Sequence, residues 1–274
     1  KALNFASSIK KKYKERFYFK NKKFSQINKT DVNNSKIDAI IFDLGLSNTQ
    51  IFDSTSGISF KSKGKLNMRM GINEFSAYEV INFLEKKDLE KIFYSFGEEK
   101  LSRKIANKIV IERNKHKLNT EDLVRIIEKT KRYKKGTHKA TKIFQSLRMF
   151  VNKEISELIS GIINATKFLK PGGKILIVSF HSIEDKIVKY LFSNFSKNRS
   201  KTSRYLPDDI NNTDVLFEKY INKIIRPSKR EIDKNNPSRS AKLRFATRSD
   251  DPFVYPANLI KKFKIYLDLE ATNV

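Results

Sequence analysis

The sequence predicts an α/β fold: a doubly wound sheet carrying an all-helical insertion. Two apolar runs and the stretch between them predict it. IDAIIFD, residues 37–43, and KILIVSF, residues 174–180, are short, apolar and without alternation, the pattern of parallel strands buried on both faces. From Phe75 to about Lys135 the apolar residues instead recur at helical spacing, in SAYEVINFLEK, LEKIFYSF, EEKLSRKIANKIVIERN and TEDLVRIIEKTKRY, with charged outer faces.

Taken in order, KALNFASSIKKKYKERF reads as the end of an amphipathic helix leading into a strand at RFYF. The chain does not begin with Met, and it reads as a fragment whose N-terminal strands precede Lys1. A polar connection, NKTDVNNSK, leads to IDAIIFD, and a polar loop then runs to Gly71. After the helical stretch, THKATKIFQSLRMFVNKEISELISGIINATKFL predicts one helix of four turns or more, which KPGG breaks. KILIVSF, the helix SIEDKIVKYLFSNF, a basic polar segment at 196–241 and a last strand, AKLRFATR, complete the layout. It divides into a first part of the sheet domain (1–72), the insertion (73–138) and a second part (139–274).

Composition narrows the function. The 274 residues can hold one large domain or a domain with a sizeable insertion, and 21 Phe with 10 Tyr supply a core. No apolar run approaches the length of a membrane span, and no signal peptide opens the chain. The absence of cysteine excludes disulfides and thiolate metal sites and fits a reducing cytoplasm. His116, His138 and His181 are far apart in sequence, so no metal site is expected. A formal charge of +27 permits a polyanionic partner, although codon bias toward Lys, Asn, Ile and Phe would produce the same charge.

In open α/β sheets, ligands bind beyond the carboxyl ends of the strands, where Asp43 and His181 stand here. Gly45 would let backbone approach a ligand; alternatively Asp43 only bonds the amides of its own turn. In SFHSIED, Ser182 is expected to cap the helix with Asp185 as its partner three residues on, and His181 either serves the site or makes a structural hydrogen bond. No Gly-x-Ser-x-Gly elbow or Walker loop occurs. Thr141, Gln145, Arg148 and Asn152 form one polar helical stripe beside Phe144, Leu147, Val151, Ile155 and Leu158. Such a stripe is either a solvated face or, being poor in Lys and Glu, one turned to a site.

Together, DLGLSNTQ, GISFKSKGKLNMRMG, YSFGEEK, KKGTHKATKIFQSLRMFVN, SFHSIEDKIVK and NPSRSAKLRFATR resemble, in the same order, the RsmH (MraW) family. The resemblance implies a class I, Rossmann-like methyltransferase sheet with a substrate-recognising helical insertion. It implies S-adenosylmethionine as cofactor and methylation of the exocyclic N4 amine of a cytosine in the decoding region of 16S ribosomal RNA. The partner would be that RNA within a small ribosomal subunit, in the cytoplasm, without a membrane and with a homodimer allowed. Matched motif to motif, Phe24, Asp43 and Gln50 fall where the family contacts the cofactor. Asp43 also becomes the first catalytic candidate, and His181 the second, as orienter or proton acceptor. Arg69, Arg148 and Arg239 are candidate phosphate contacts. The family's Gly-Gly-His-Ser loop and the acidic residue after the next strand would precede Lys1, and Lys139 stands where the family has proline. The rival readings are a non-catalytic RNA-binding protein on the same scaffold and a methyltransferase acting on another amine.

Overall fold

Strand β1 (Ile37–Asp43) runs parallel to β2 (Leu169–Ser179), which pairs antiparallel with β3 (Lys242–Thr247). The computed structural model describes residues 2–32, 37–47, 56–60, 65–71, 75–132, 138–198 and 215–272; Gln50 lies outside them. Before β1 stand helix α1 (Ala2–Lys12) and two 3-10 turns, one of them Phe24–Gln26. Between β1 and β2 come α2 (Ala77–Phe83), α3 (Lys86–Ser95), α4 (Ser102–Arg113), α5 (Thr120–Thr130), α6 (Thr141–Asn152) and α7 (Glu154–Phe168). Helix α8 (Ser182–Asn194) follows β2, α9 (Lys229–Lys234) precedes β3, and α10 (Ala257–Lys262) and α11 (Lys264–Glu270) follow it. The α/β class holds, and α2–α5 lie where the helical spacing put them. No described helix is long and apolar enough to cross a membrane.

The helices between the strands are specified locally and then packed. Asn119 caps α5 by accepting from Asp122 N at 2.9 Å, while Asp122 accepts from Asn119 N. Their inward stripes bury Leu89, Ile92, Phe93, Ile105, Ile109, Leu123 and Ile127 completely. Phe96 and Phe150 meet at 6.4 Å between α3 and α6, which makes that core continuous with the rest of the molecule. Asn82 pins the turn before α5, accepting from Leu118 N at 2.8 Å and donating to Leu118 O at 3.1 Å.

Four expectations are corrected. RFYF is not a strand: Phe17–Lys20 has no regular structure. β1 is buried on one face only. Phe42 packs inward with Ile175 and Ile177, whereas Ile41 is 68% exposed on the opposite face. Apolar runs without alternation report composition, and burial depends on what packs against each face. The long helix is two helices, because Lys153 takes a left-handed conformation (φ 51°, ψ 42°) between Asn152 and Glu154. Finally, KPGG does not stand outside the sheet. β2 begins at Leu169 and absorbs those residues as an irregularity, with Ile37 opposite Leu169 and Ala39 already opposite Lys174. Gly172 adopts φ +76° there and donates its N–H to Arg248 O at 2.9 Å.

The chain after β3, which carries no sequence motif, closes the structure over α7. Buried Glu270 accepts from Ile155 N at 3.0 Å, from Ser156 N at 2.7 Å and from the Ser156 hydroxyl. It therefore satisfies the otherwise open N-terminus of the helix that walls the candidate site.

Candidate active site

Asp43 is the last residue of β1, paired opposite Val178, and its carboxylate is exposed. Among the described residues it accepts no backbone amide and has no hydrogen-bond or ion-pair partner. The next bond, Leu44 N to Val178 O at 3.0 Å, carries the ladder one step further before the chain turns away. Gly45 makes that turn at φ +110°, where a Cβ would meet the Phe180 ring at 3.0 Å.

A hollow of about 210 Å³ opens beside Asp43. Residues from six segments line it: Lys22–Phe24, Asp43–Gly45, Met70, Asn152, the Glu154, Glu157 and Leu158 edge of α7, and Glu184. Among the described residues its lining has four carboxylates against two lysines, in a chain whose formal charge is +27. One of those lysines, Lys22, is held by both oxygens of Asp31 at 2.8 Å. Glu154 is likewise paired with Arg148, which leaves Asp43, Glu157 and Glu184 against Lys23, and the hollow is locally acidic.

Phe24 stands on its rim, 39% exposed, edge-on to Phe42 at 5.3 Å. Its turn is fastened to α7: Ser25 donates its N–H and hydroxyl to Glu157 at 3.2 and 3.0 Å, and Asn164 donates to Ser25 O at 2.9 Å. Gly161 makes this approach feasible, since a Cβ there would lie 2.6 Å from Phe24 Cβ.

Asn152 fixes the opposite wall. Its Oδ1 accepts from Met70 N at 2.6 Å and its Nδ2 donates to Met68 O at 2.9 Å and Arg148 O at 2.8 Å. This amide holds Met68, itself at φ +58°, against the end of α6. Of the predicted polar stripe, Arg148 and Asn152 reach the site, while Gln145 donates only to Met149 Sδ at 3.7 Å. Arg148 is not free to contact phosphate, because it grips Glu154 through two bonds of 2.8 and 2.9 Å. Arg239 donates to Asn236 O at 3.2 Å and Arg69 to Asn67 Oδ1 at 2.8 Å.

The cap of α8 is His181, not Ser182. His181 Nδ1 accepts from Glu184 N at 3.4 Å, and Glu184 Oε2 accepts from His181 N at 3.3 Å and Phe180 N at 2.8 Å. Ser182 is displaced into the first turn, where its hydroxyl donates to Glu98 at 3.1 Å. Asp185 is taken by Arg244 at 2.7 Å and Lys242 at 3.2 Å, tying α8 to β3. With the Nδ1 lone pair committed to the cap, the neutral His181 ring carries its hydrogen on Nε2. That nitrogen is buried 3.0 Å from Glu184 Oε1, without hydrogen-bond alignment. Burial raises the Glu184 carboxyl, but His181, the Phe180 amide and the Arg148 charge outweigh it and hold it below the ordinary carboxylate value.

Glu154, His181 and Glu184 offer atoms within 4.8 Å of one another, a spacing that would suit a metal. Their bonding does not. Arg148 occupies both Glu154 oxygens, and the one ring nitrogen left to ligate carries the proton. The cluster is an ion-pair network under the hollow. Glu154, Glu157 and Glu184 were missed by sequence reasoning. Only Glu184 left a signal, standing three residues after His181 at capping-box spacing.

The structure therefore brings Phe24, Asp43 and Gly45 to one hollow and sets His181 behind it as a support. The model of the MraW methylase family matches residues 1–249 of the chain. A ribosomal RNA small subunit methyltransferase H of Bartonella grahamii (strain as4aup) is 38% identical over 252 residues, covering 91% of this chain and 75% of that protein. Its counterpart in Bartonella quintana (strain Toulouse) is 42% identical over 230 residues, 83% of this chain and 68% of its own. The protein of the same name in Rickettsia bellii (strain OSU 85-389) is 39% identical over 246 residues, 89% of this chain and 80% of its own. With a strand-end carboxylate at an acidic hollow and matches along most of its length, this chain belongs to the MraW methylase family.

Proposed function

We propose that the protein is an S-adenosylmethionine-dependent methyltransferase acting on small-subunit ribosomal RNA, at the exocyclic N4 amine of a cytosine. The observation that carries this reading is the carboxylate of Asp43, unpaired among the described residues, beside a hollow that is acidic in a strongly basic chain. A cofactor bearing a sulfonium and an ammonium suits such a lining. The Phe24 ring offers an apolar face for its remainder, and Gly45 allows backbone to come close. Gln50 is proposed as a further cofactor contact.

The cofactor supplies an electrophilic methyl group; the chain supplies orientation. A cytosine amine is a poor nucleophile because its lone pair is delocalised into the ring. Asp43, by accepting the amine hydrogens, turns that pair out of conjugation and holds it in line for attack, so placement provides much of the rate. The base reaches the hollow only when unstacked. The proton lost after transfer leaves by way of the exposed Asp43 carboxylate. His181 acts as orienter: accepting that proton on Nδ1 would break the cap of α8. Such a substrate, within a small ribosomal subunit, implies work in the cytoplasm.

The test supplies methyl-labelled S-adenosylmethionine and small-subunit ribosomal RNA or subunits to the protein and locates the label by mass spectrometry. N4-methylcytosine is expected, with transfer abolished by Asp43→Ala and cofactor binding partly kept by Asp43→Asn. RNA binding without transfer would favour the non-catalytic alternative. Near-normal turnover by Asp43→Ala would remove Asp43 from the mechanism.

A further inference from the structure

A second hollow, of about 420 Å³, lies between the start of α3 and the start of α4, remote in sequence from the acidic one. Four cations line it, Lys86 from α3 and Lys100, Arg103 and Lys104 from the entry to α4, together with Asn107. Among the described residues no carboxylate does. The four side chains are exposed and, among the described residues, have neither an ion pair nor a hydrogen bond. Other cations of this helical region divide: Lys91–Asp88, Lys115–Glu112, Arg125–Asp122 and Lys131–Glu99 are paired, whereas Lys87, Lys108 and Lys129 have no such partner among the described residues, and only the four named above converge on this hollow. Crowding costs stability here: Arg103 and Lys104 lie in the first turn of α4 and Lys86 in that of α3, where cations oppose the helix dipole. Stability therefore does not explain the arrangement.

This hollow is also joined to the candidate active site. Glu98, two residues before Lys100, accepts from Ser182 Oγ at 3.1 Å and from Lys186 Nζ at 2.6 Å. Ser182 follows His181, the cap at the edge of the acidic hollow.

We infer that the basic hollow is a phosphodiester-binding site that grips the backbone of the RNA substrate while the target base occupies the acidic hollow. This rests on the ribosomal RNA reading above. Unpaired cations in a concave surface suit a chain of phosphates, and the Asn107 amide can bond ribose or phosphate oxygens.

The experiment measures binding of a small-subunit ribosomal RNA transcript across a salt series, for the protein and for Lys100→Glu/Lys104→Glu. A charge-matched control, Lys129→Glu/Arg132→Glu, alters exposed cations at the end of α5 and beyond it. Circular dichroism and cofactor titration check that each variant is folded, and Lys100→Gln/Lys104→Gln serves if reversal unfolds the protein. Loss of two phosphate contacts should make the log–log salt slope shallower by about 1.5, with weaker RNA binding and unchanged cofactor affinity. The control should change the slope by less than half as much. An unchanged slope in a folded hollow variant, or an equal change in the control, overturns the inference. So does millimolar inorganic phosphate that displaces RNA beyond the effect of chloride at equal ionic strength, which marks a site for small phosphates instead. If the hollow governs RNA binding but no methyl is transferred, the enzymatic reading fails and this inference stands. If methyl is transferred and the slope does not depend on the hollow, the inference alone fails.

Discussion

Gly161→Ala sets two effects of opposite sign against each other. In mid-helix, alanine is favoured over glycine by about 0.8–1.0 kcal/mol. Against this, the new Cβ would lie 2.6 Å from Phe24 Cβ and 3.3 Å from Phe42 Cε1, where ordinary contacts begin near 3.4 Å. Phe24 cannot yield freely, since Ser25 next to it is bonded to Glu157 and Asn164. Overpacking a held contact costs roughly 1–3 kcal/mol, which leaves a net destabilisation of roughly 0–2 kcal/mol. Relief of the clash moves the Phe24 turn outward by up to about 1 Å, so cofactor affinity should fall further than stability does. Urea unfolding and calorimetric titration of S-adenosylmethionine measure the two quantities. In a Phe24→Gly background the opposing Cβ is gone, and Gly161→Ala should change sign and stabilise. Equal effects in both backgrounds would refute the packing argument.

Asn152→Asp keeps the shape but aims a carboxylate oxygen at the Met68 and Arg148 carbonyls, removing two donors at about 1–3 kcal/mol each. A stability within 0.5 kcal/mol of the parent in urea unfolding would show that this bridge does not hold the wall. Burial pushes the Glu270 carboxyl up to about 7, against bonds from Ser156 and Ile155 that favour ionisation, from an ordinary value of 4.5. The folded protein thus keeps a proton that the unfolded chain releases. Its stabilising effect is complete below pH 4.5 and is lost as pH rises through about 7, by roughly 3 kcal/mol at 1.36 per unit. Glu270→Gln should flatten this fall between pH 5 and pH 8; the same fall in both proteins would assign it elsewhere.

The helices of residues 77–130 were legible because their amphipathic spacing and their caps, such as Asn119 with Asp122, are local properties. Strand positions were legible too, since IDAIIFD and KILIVSF are short apolar runs bounded by polar residues. What packs on each face was not, as Ile41 illustrates. The cap of α8 was misread for a related reason. Serine is a commoner cap than histidine, yet the strand ends one residue earlier than that preference implies, and His181 has the matching partner in Glu184. Asp43 and Phe24 were legible through motif resemblance. The carboxylates that make their hollow acidic come from α7 and α8, and only folding brings them together.

That separation bears on how a protein of charge +27 would hold the proposed cationic cofactor. At physiological ionic strength, exposed charges are screened beyond about 8 Å, so a bound molecule responds to the groups lining its own site. Glu184 is buried, so a distant lysine does not neutralise it, whereas Glu154 is already paired with Arg148. The unpaired cations of the other hollow are exposed and open to salt. Raising ionic strength should therefore weaken RNA binding steeply and cofactor binding little. The two sites can be titrated apart in one protein without any mutation.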